Sequence, residues 1–137
     1  MGVLEVRLPA LAVLLPTVLA IAADLAHRAD LDVSEVDEFQ MAVEEACRPL
    51  IPMAIPGSVL SCDFVSHENG LELTASVAVG PSHTPGAGLD TASVQWHILC
   101  TLTDELSVLT PGGGRGARAG VRLAKHRCNG DGREPGP

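Results

Sequence analysis

Alternation and helical spacing take turns along this chain, and each switch marks the end of an element. Residues 3–8 alternate, with Leu4, Val6 and Leu8 on one side and Val3, Glu5 and Arg7 on the other, the period of a strand that stops at Pro9. A helix is expected from there to about Ala29, bent or locally opened at Pro16 unless it begins later. A second helix starts near Ser34, which with Asp37 makes a weak capping box, and its core stripe is Val36, Phe39, Val43, Cys47 and Leu50. Pro49 and Pro52 blur its end, because neither carries an amide donor and each ring crowds the preceding turn.

Strand period returns at residues 59–65 and 71–79, joined by His67-Glu68-Asn69-Gly70, where Asn-Gly supplies the backbone a tight hairpin turn needs. In the second of these strands Leu71, Leu73, Ala75, Val77 and Val79 share a face that helices must cover. Residues 80–91 form a loop of Gly, Pro and Ser. Ser93 then caps a third helix that runs through Trp96, Leu99, Leu102 and Leu106. A short strand is expected from Val108. Residues 110–119 hold four glycines and read as outside the packed core, 121–126 as a last strand, and 128–137 as a disordered tail.

The predicted order is β-α-α-β-β-α-β-β in a single domain over residues 1–127. It predicts an α+β two-layer sandwich, a mixed, mostly antiparallel sheet of four to five strands with three helices on one face.

Charge narrows the function. Nine basic against seventeen acidic residues give a net −8, and only three aromatics are present, so direct binding of nucleic acid is excluded as the expectation. Asp30, Asp32, Glu35, Asp37, Glu38, Glu44 and Glu45 follow one another with no intervening Lys or Arg. That run is either a solvated helix face or a surface for a basic protein partner, with Glu35, Asp37 and Glu38 as the candidate contacts.

Cys47, Cys62, Cys100 and Cys128 form no C-x-x-C pair and the five histidines no ligand cluster, so neither zinc nor a disulfide framework is indicated. The apolar stretch 8–23 ends in Ala-Ile-Ala, yet it contains Pro9 and Pro16 and falls short of the roughly 20 residues a membrane helix needs. It reads as a buried helix, with no membrane partner and a cytoplasmic location.

The element order, the segment AVEEAC with its spacing to PGSVL, and the third helix QWHILCTLTDELSV together resemble the RsbW/SpoIIAB-type anti-sigma factors, in their divergent actinobacterial branch. The resemblance covers nearly everything from Val3 to Arg127. It implies the GHKL (Bergerat-type) fold shared with histidine kinases, Hsp90 and DNA gyrase. It also implies a partner-binding module that sequesters an alternative sigma factor, is released by an anti-anti-sigma factor, and forms a homodimer.

The family motif E-x-x-x-N-x-x-x-(H or Y)-A supplies a general base in its Glu and a Mg²⁺ ligand in its Asn. Laid on this sequence, the base is Glu45, the Asn position is Pro49 and the next is Met53. Mg²⁺ requires hard oxygen ligands, which neither a proline ring nor a thioether provides. The second motif, D-x-G-x-G, keeps Gly86 and Gly88 but has Thr84 where the adenine-binding Asp belongs. The glycine-rich lid before the third helix is replaced by residues 91–96, ending at Trp96, which can fill part of the vacated pocket. Gly112 to Gly116 with Arg115 reads as a hairpin, not a phosphate loop.

The expectation is therefore no cofactor, with ATP and Mg²⁺ binding weak or absent and Glu45 a vestigial base. Two alternatives stay open: an active serine kinase acting on an anti-anti-sigma factor, and a sensor whose altered pocket (Glu45, Pro49, Met53, Thr84, Gly86, Gly88, Trp96) takes a different nucleotide or metabolite.

Overall fold

The computed structural model describes residues 2–80, 92–110 and 116–128. Strand β1 (Gly2–Pro9) leads through a 3-10 turn (Ala12–Leu14) into α1 (Leu15–Arg28). Then come α2 (Val33–Cys47), a second 3-10 turn (Ile51–Met53), β2 (Val59–His67), β3 (Gly70–Ala78), α3 (Val94–Leu102), β4 (Glu105–Leu109) and β5 (Arg118–His126). The fold is α+β, as the sequence pattern implies, and every strand pairing is antiparallel.

The sheet order is β1-β2-β3-β5-β4, so the last strand slots between two earlier ones. Its register lines side chains into rows. Leu4, Phe64, Leu73, Leu123 and Leu106 stand abreast, as do Val6, Cys62, Ala75, Val121 and Val108. These rows make the face that the helices cover, where Phe39 of α2 is fully buried against Phe64, ring centroids 6.4 Å apart. The alternate rows are polar and face away: Glu5, Asp63, Thr74, Arg122 and Ser107 form one of them.

The α2 core stripe is as the spacing predicts, with Val36, Phe39, Val43, Cys47 and Leu50 all buried. Four boundaries differ from expectation, each for a physical reason. Helix α1 begins only at Leu15, placing Pro16 in its first turn, where the missing amide costs nothing. The α2 capping box is Asp32 with Glu35, not Ser34 with Asp37. Asp32 Oδ1 accepts from the Glu35 amide at 2.8 Å, and Glu35 Oε1 reaches back to the Asp32 amide at 2.8 Å. Asp37 is one methylene too short to reach back in the same way, so the frame with glutamate wins.

Helix α3 stops at Leu102, and Leu106 belongs to β4 opposite Leu123. Ala117 and Ala119 are buried, so the end of the glycine-bearing stretch does join the core as it enters β5. Small residues are needed there: a Cβ on Gly120 would run into the Ala75 carbonyl of the neighbouring strand.

Candidate functional site

Helix α2 and the turn after it carry most of the described pocket residues. Its last helical residue is Cys47, and Arg48 is the C-cap. Pro49 therefore sits in a turn and not on a helical face, and Met53 closes the 3-10 turn with its amide bonded to the Leu50 carbonyl at 3.0 Å. Met53 packs partly buried against the core. Neither residue offers a side-chain oxygen, so this donor set does not fit Mg²⁺.

Glu45 is a quarter exposed and lies 3.6 Å from Arg48, which also holds Glu44. Arg48 makes its hydrogen bond to Glu44, so its contact with Glu45 is a long surface ion pair. Helical spacing places Glu38, Ala42 and Glu45 along one flank of α2, the flank toward β5, since Glu38 pairs with Lys125. Gln40 lies on the opposite flank, bonded to the Leu19 carbonyl of α1 at 3.0 Å.

Trp96 stands in the first turn of α3, partly buried against the core, with its amide bonded to Ser93 Oγ at 3.1 Å. Thr84, Gly86 and Gly88 lie outside the described residues, as do Arg115 and the tail from 129 onward. The structure thus brings Glu45, Pro49 and Met53 together along α2 and its exit.

The acidic contact set needs a correction. Glu35 is only 6% exposed, not on the solvated face. Its second oxygen accepts from the Cys128 amide at 2.6 Å, tying the segment after β5 to the head of α2. Glu38 is the partner of Lys125 at 2.7 Å, and that lysine's side chain is 12% exposed. Reversing the charge of both glutamates would therefore perturb folding before it reported on binding. Asp37 is the exposed member of the three.

Two groups were not legible in the sequence. On the open sheet face Arg122 bridges Glu72 and Glu105 at 2.8 and 3.2 Å, with His67 on Glu72 and His126 on Glu105. Burial pulls the Glu72 carboxyl upward, but hydrogen bonds from Arg122 and His67 outweigh it and hold the group below its ordinary 4.5. Alternating polar residues in β3 are the one sequence signal for this network.

The other group is the thiol pair. Cys47 and Cys62 are both free and buried, and the Cys62 hydrogen bond together with burial pushes the Cys47 thiol well above its ordinary value. Among the described residues no group of three His, Cys, Asp or Glu is placed to hold a metal ion, and no helix is long and apolar enough to cross a membrane.

Among known proteins the chain is similar to regulators of the anti-sigma class. The relatives are anti-sigma-F factor RsbW from two strains of Mycobacterium tuberculosis, CDC 1551 / Oshkosh and ATCC 25618 / H37Rv. Each is 30% identical to it over 83 residues, which is 61% of this chain and 47% of the relative. The chain spans about half the length of the curated relatives it matches. No family model matches the sequence. The resemblance read from AVEEAC and the third helix and the similarity to RsbW agree.

Proposed function

We propose that this protein is an anti-sigma module of the RsbW type, with the GHKL fold, which binds and sequesters an alternative sigma factor in the cytoplasm. It acts as a homodimer and is released by an anti-anti-sigma factor. The observation that carries the reading is the similarity to anti-sigma-F factor RsbW, joined to an α+β fold of the expected element order.

Its nucleotide site is degenerate. Pro49 stands in a turn at the position where the family places its metal ligand, and Glu45 is paired with Arg48. The kinase alternative requires a metal at that position, and the chemistry of Pro49 and Met53 speaks against it. Asp37, exposed on α2, is the acidic contact best placed to meet a basic sigma surface.

Affinity capture of the full chain from its native cells, read by mass spectrometry, tests the reading. Recovery of a sigma factor at mild salt is the expected result, weakened by Asp37→Lys more at low salt than at high. Capture without any sigma factor would overturn it. Calorimetry with ATP and Mg²⁺ is expected to give no measurable heat at micromolar protein; micromolar affinity would restore the kinase alternative.

A further inference from the structure

The chain also carries a cavity well away from Glu45, Pro49 and Met53. It has a volume of about 390 Å³ and opens where α1 ends, beside the start of β1 and the β2–β3 turn. Pockets that hold small organic molecules span about 300–1,000 Å³. Four residues separate the end of α1 from the head of α2, so the nucleotide motif residues lie at the far end of α2, roughly 20 Å away along a helix of this length.

The walls are of two kinds. Leu4, Leu25, Phe64 and Leu71 line the cavity with hydrocarbon and one aromatic ring, and Ser66, His67, Arg28 and Arg127 form a polar wall. Three of those four are already partnered: Ser66 Oγ accepts from the Gly2 amide at 2.9 Å, His67 lies 3.2 Å from Glu72, and Arg28 donates to Asp24 at 2.7 Å. Arg127 is the exception. Its terminal nitrogens donate to the carbonyls of Glu68 and, at 3.5 Å, Ala29, neither of them charged. The carboxylate beside it, on Asp30, is 3.8 Å off and 83% exposed, so the cation is poorly balanced. Among the described residues its Nε is the one buried side-chain nitrogen or oxygen without a hydrogen-bond partner. A guanidinium holds five N–H donors in a planar fork, and a dry donor left unpaired is a cost that a fitted acceptor removes.

We propose that this cavity is a binding site for an organic carboxylate with an apolar body. The carboxylate takes two parallel hydrogen bonds from Arg127, one from a terminal N–H and one from the Nε–H, while the body lies against Leu25, Phe64 and Leu71. The Arg127 side chain is 31% exposed, so the ligand meets a terminal nitrogen first, and a turn about the last side-chain bonds presents the dry Nε–H as the second donor. Arg28 adds a second positive charge to a lining whose one acid is Asp30. A planar two-oxygen head fits the fork, and the apolar walls reward a body that acetate and inorganic phosphate lack. The inference goes beyond the anti-sigma reading and does not depend on it.

Nuclear magnetic resonance of the ¹⁵N-labelled full chain tests it, with phenylacetate and octanoate as ring and chain probes. At least one is expected to shift the amides of Leu25, Ser66 and Leu71 together with the Arg127 Nε–H signal, saturably and with a dissociation constant at or below about 1 mM, ordinary for a ligand of this size. The matching primary amides keep the shape without the charge, and acetate and inorganic phosphate keep a charge without the body. Each of these should bind at least about tenfold more weakly. Arg127→Lys retains the charge but neither the fork nor the Nε, and should weaken the acid by at least about tenfold.

No saturable shift with either acid up to about 10 mM would overturn the inference. So would equal binding of the amide or of acetate, saturable shifts confined to other parts of the chain, or an Arg127→Lys variant that binds as tightly as wild type. Where that variant does not fold, the wild-type signal decides: an Arg127 Nε–H that stays put while the surrounding amides shift would take the carboxylate off Arg127 and end the proposal.

Discussion

Replacing Glu35 by alanine removes one carboxylate that accepts from two backbone amides, Asp32 at 2.8 Å and Cys128 at 2.6 Å. Loss of the reciprocal half of a helix cap costs about 1 kcal/mol. A hydrogen bond to a charged acceptor is worth about 1.5–3 kcal/mol when its donor is left dry. The 6% exposure of Glu35 argues for the dry limit, but Asp32 and Cys128 are exposed and water can reach their amides, which argues for the lower end. The expected sum is about 2–3 kcal/mol, or a fall in Tm of roughly 10 °C for a chain of this size.

Glu35→Gln keeps one carbonyl oxygen and gives up the other acceptor, so it should lose about 1 kcal/mol. Asp37→Ala, on the exposed side of the same turn, should stay within about 0.5 kcal/mol of wild type. Equilibrium urea unfolding followed by circular dichroism measures all three. If Glu35→Ala lands as close to wild type as Asp37→Ala, the clasp between the end of β5 and the head of α2 contributes nothing, and the argument from its geometry is wrong.

Cys47 and Cys62 are buried and Cys100 and Cys128 exposed, so a thiol reagent should label two sites in the native protein and four in denaturant; rapid native labelling of Cys47 would contradict its placement. Gly120→Ala should destabilise by about 1–3 kcal/mol, because β5 cannot take a Cβ against the Ala75 carbonyl without shifting; an unchanged urea midpoint would mean the strands yield freely. The Glu72 carboxyl is held below its ordinary 4.5, so its pairing stabilises the protein above that pH and the benefit fades as pH falls through the lowered folded value. Glu72→Gln should thus be less stable at neutral pH and show a shallower acid loss below pH 4.5; a parallel acid limb in the variant would remove Glu72 from the account.

The elements whose chemistry is local were legible from the sequence. The Val36-Phe39-Val43-Cys47 spacing fixed the buried face of α2, and the β2–β3 hairpin falls where the sequence places it. Its turn residues are Glu68 and Asn69, however, and neither Asn69 nor Gly70 takes a positive φ. Gly70 opens β3, where a Cβ would strike the Lys125 carbonyl. What sequence reasoning missed depends on partners far along the chain. Leu99, Leu102 and Leu106 are spaced for one helix, but Leu106 is claimed by Leu123 across the β4–β5 ladder. Glu35 looks like any acid in a charged run until the Cys128 amide, 93 residues away, arrives to be satisfied. Two caps competed at the head of α2, and side-chain length decided between them. For the candidate site, the structure puts Glu45 on α2 and Pro49 and Met53 in the turns that follow it, and Arg48, three residues on and 3.6 Å from Glu45, drew no notice.

The position of β5 has a consequence for how the molecule comes into being. Strand β4 is made before β5 yet among the described residues has no neighbour in the sheet except β5, which itself must first dock on β3. During synthesis, then, β1, β2 and β3 can pair as they emerge, but β4 waits beside an unfinished sheet with Leu106 and Val108 unmatched. The nascent chain exposes the β3 edge until β5 leaves the ribosome. A premature stop inside β5 would cost the sheet two strands, not one, and such a product should fall to proteolysis instead of persisting as a shortened fold.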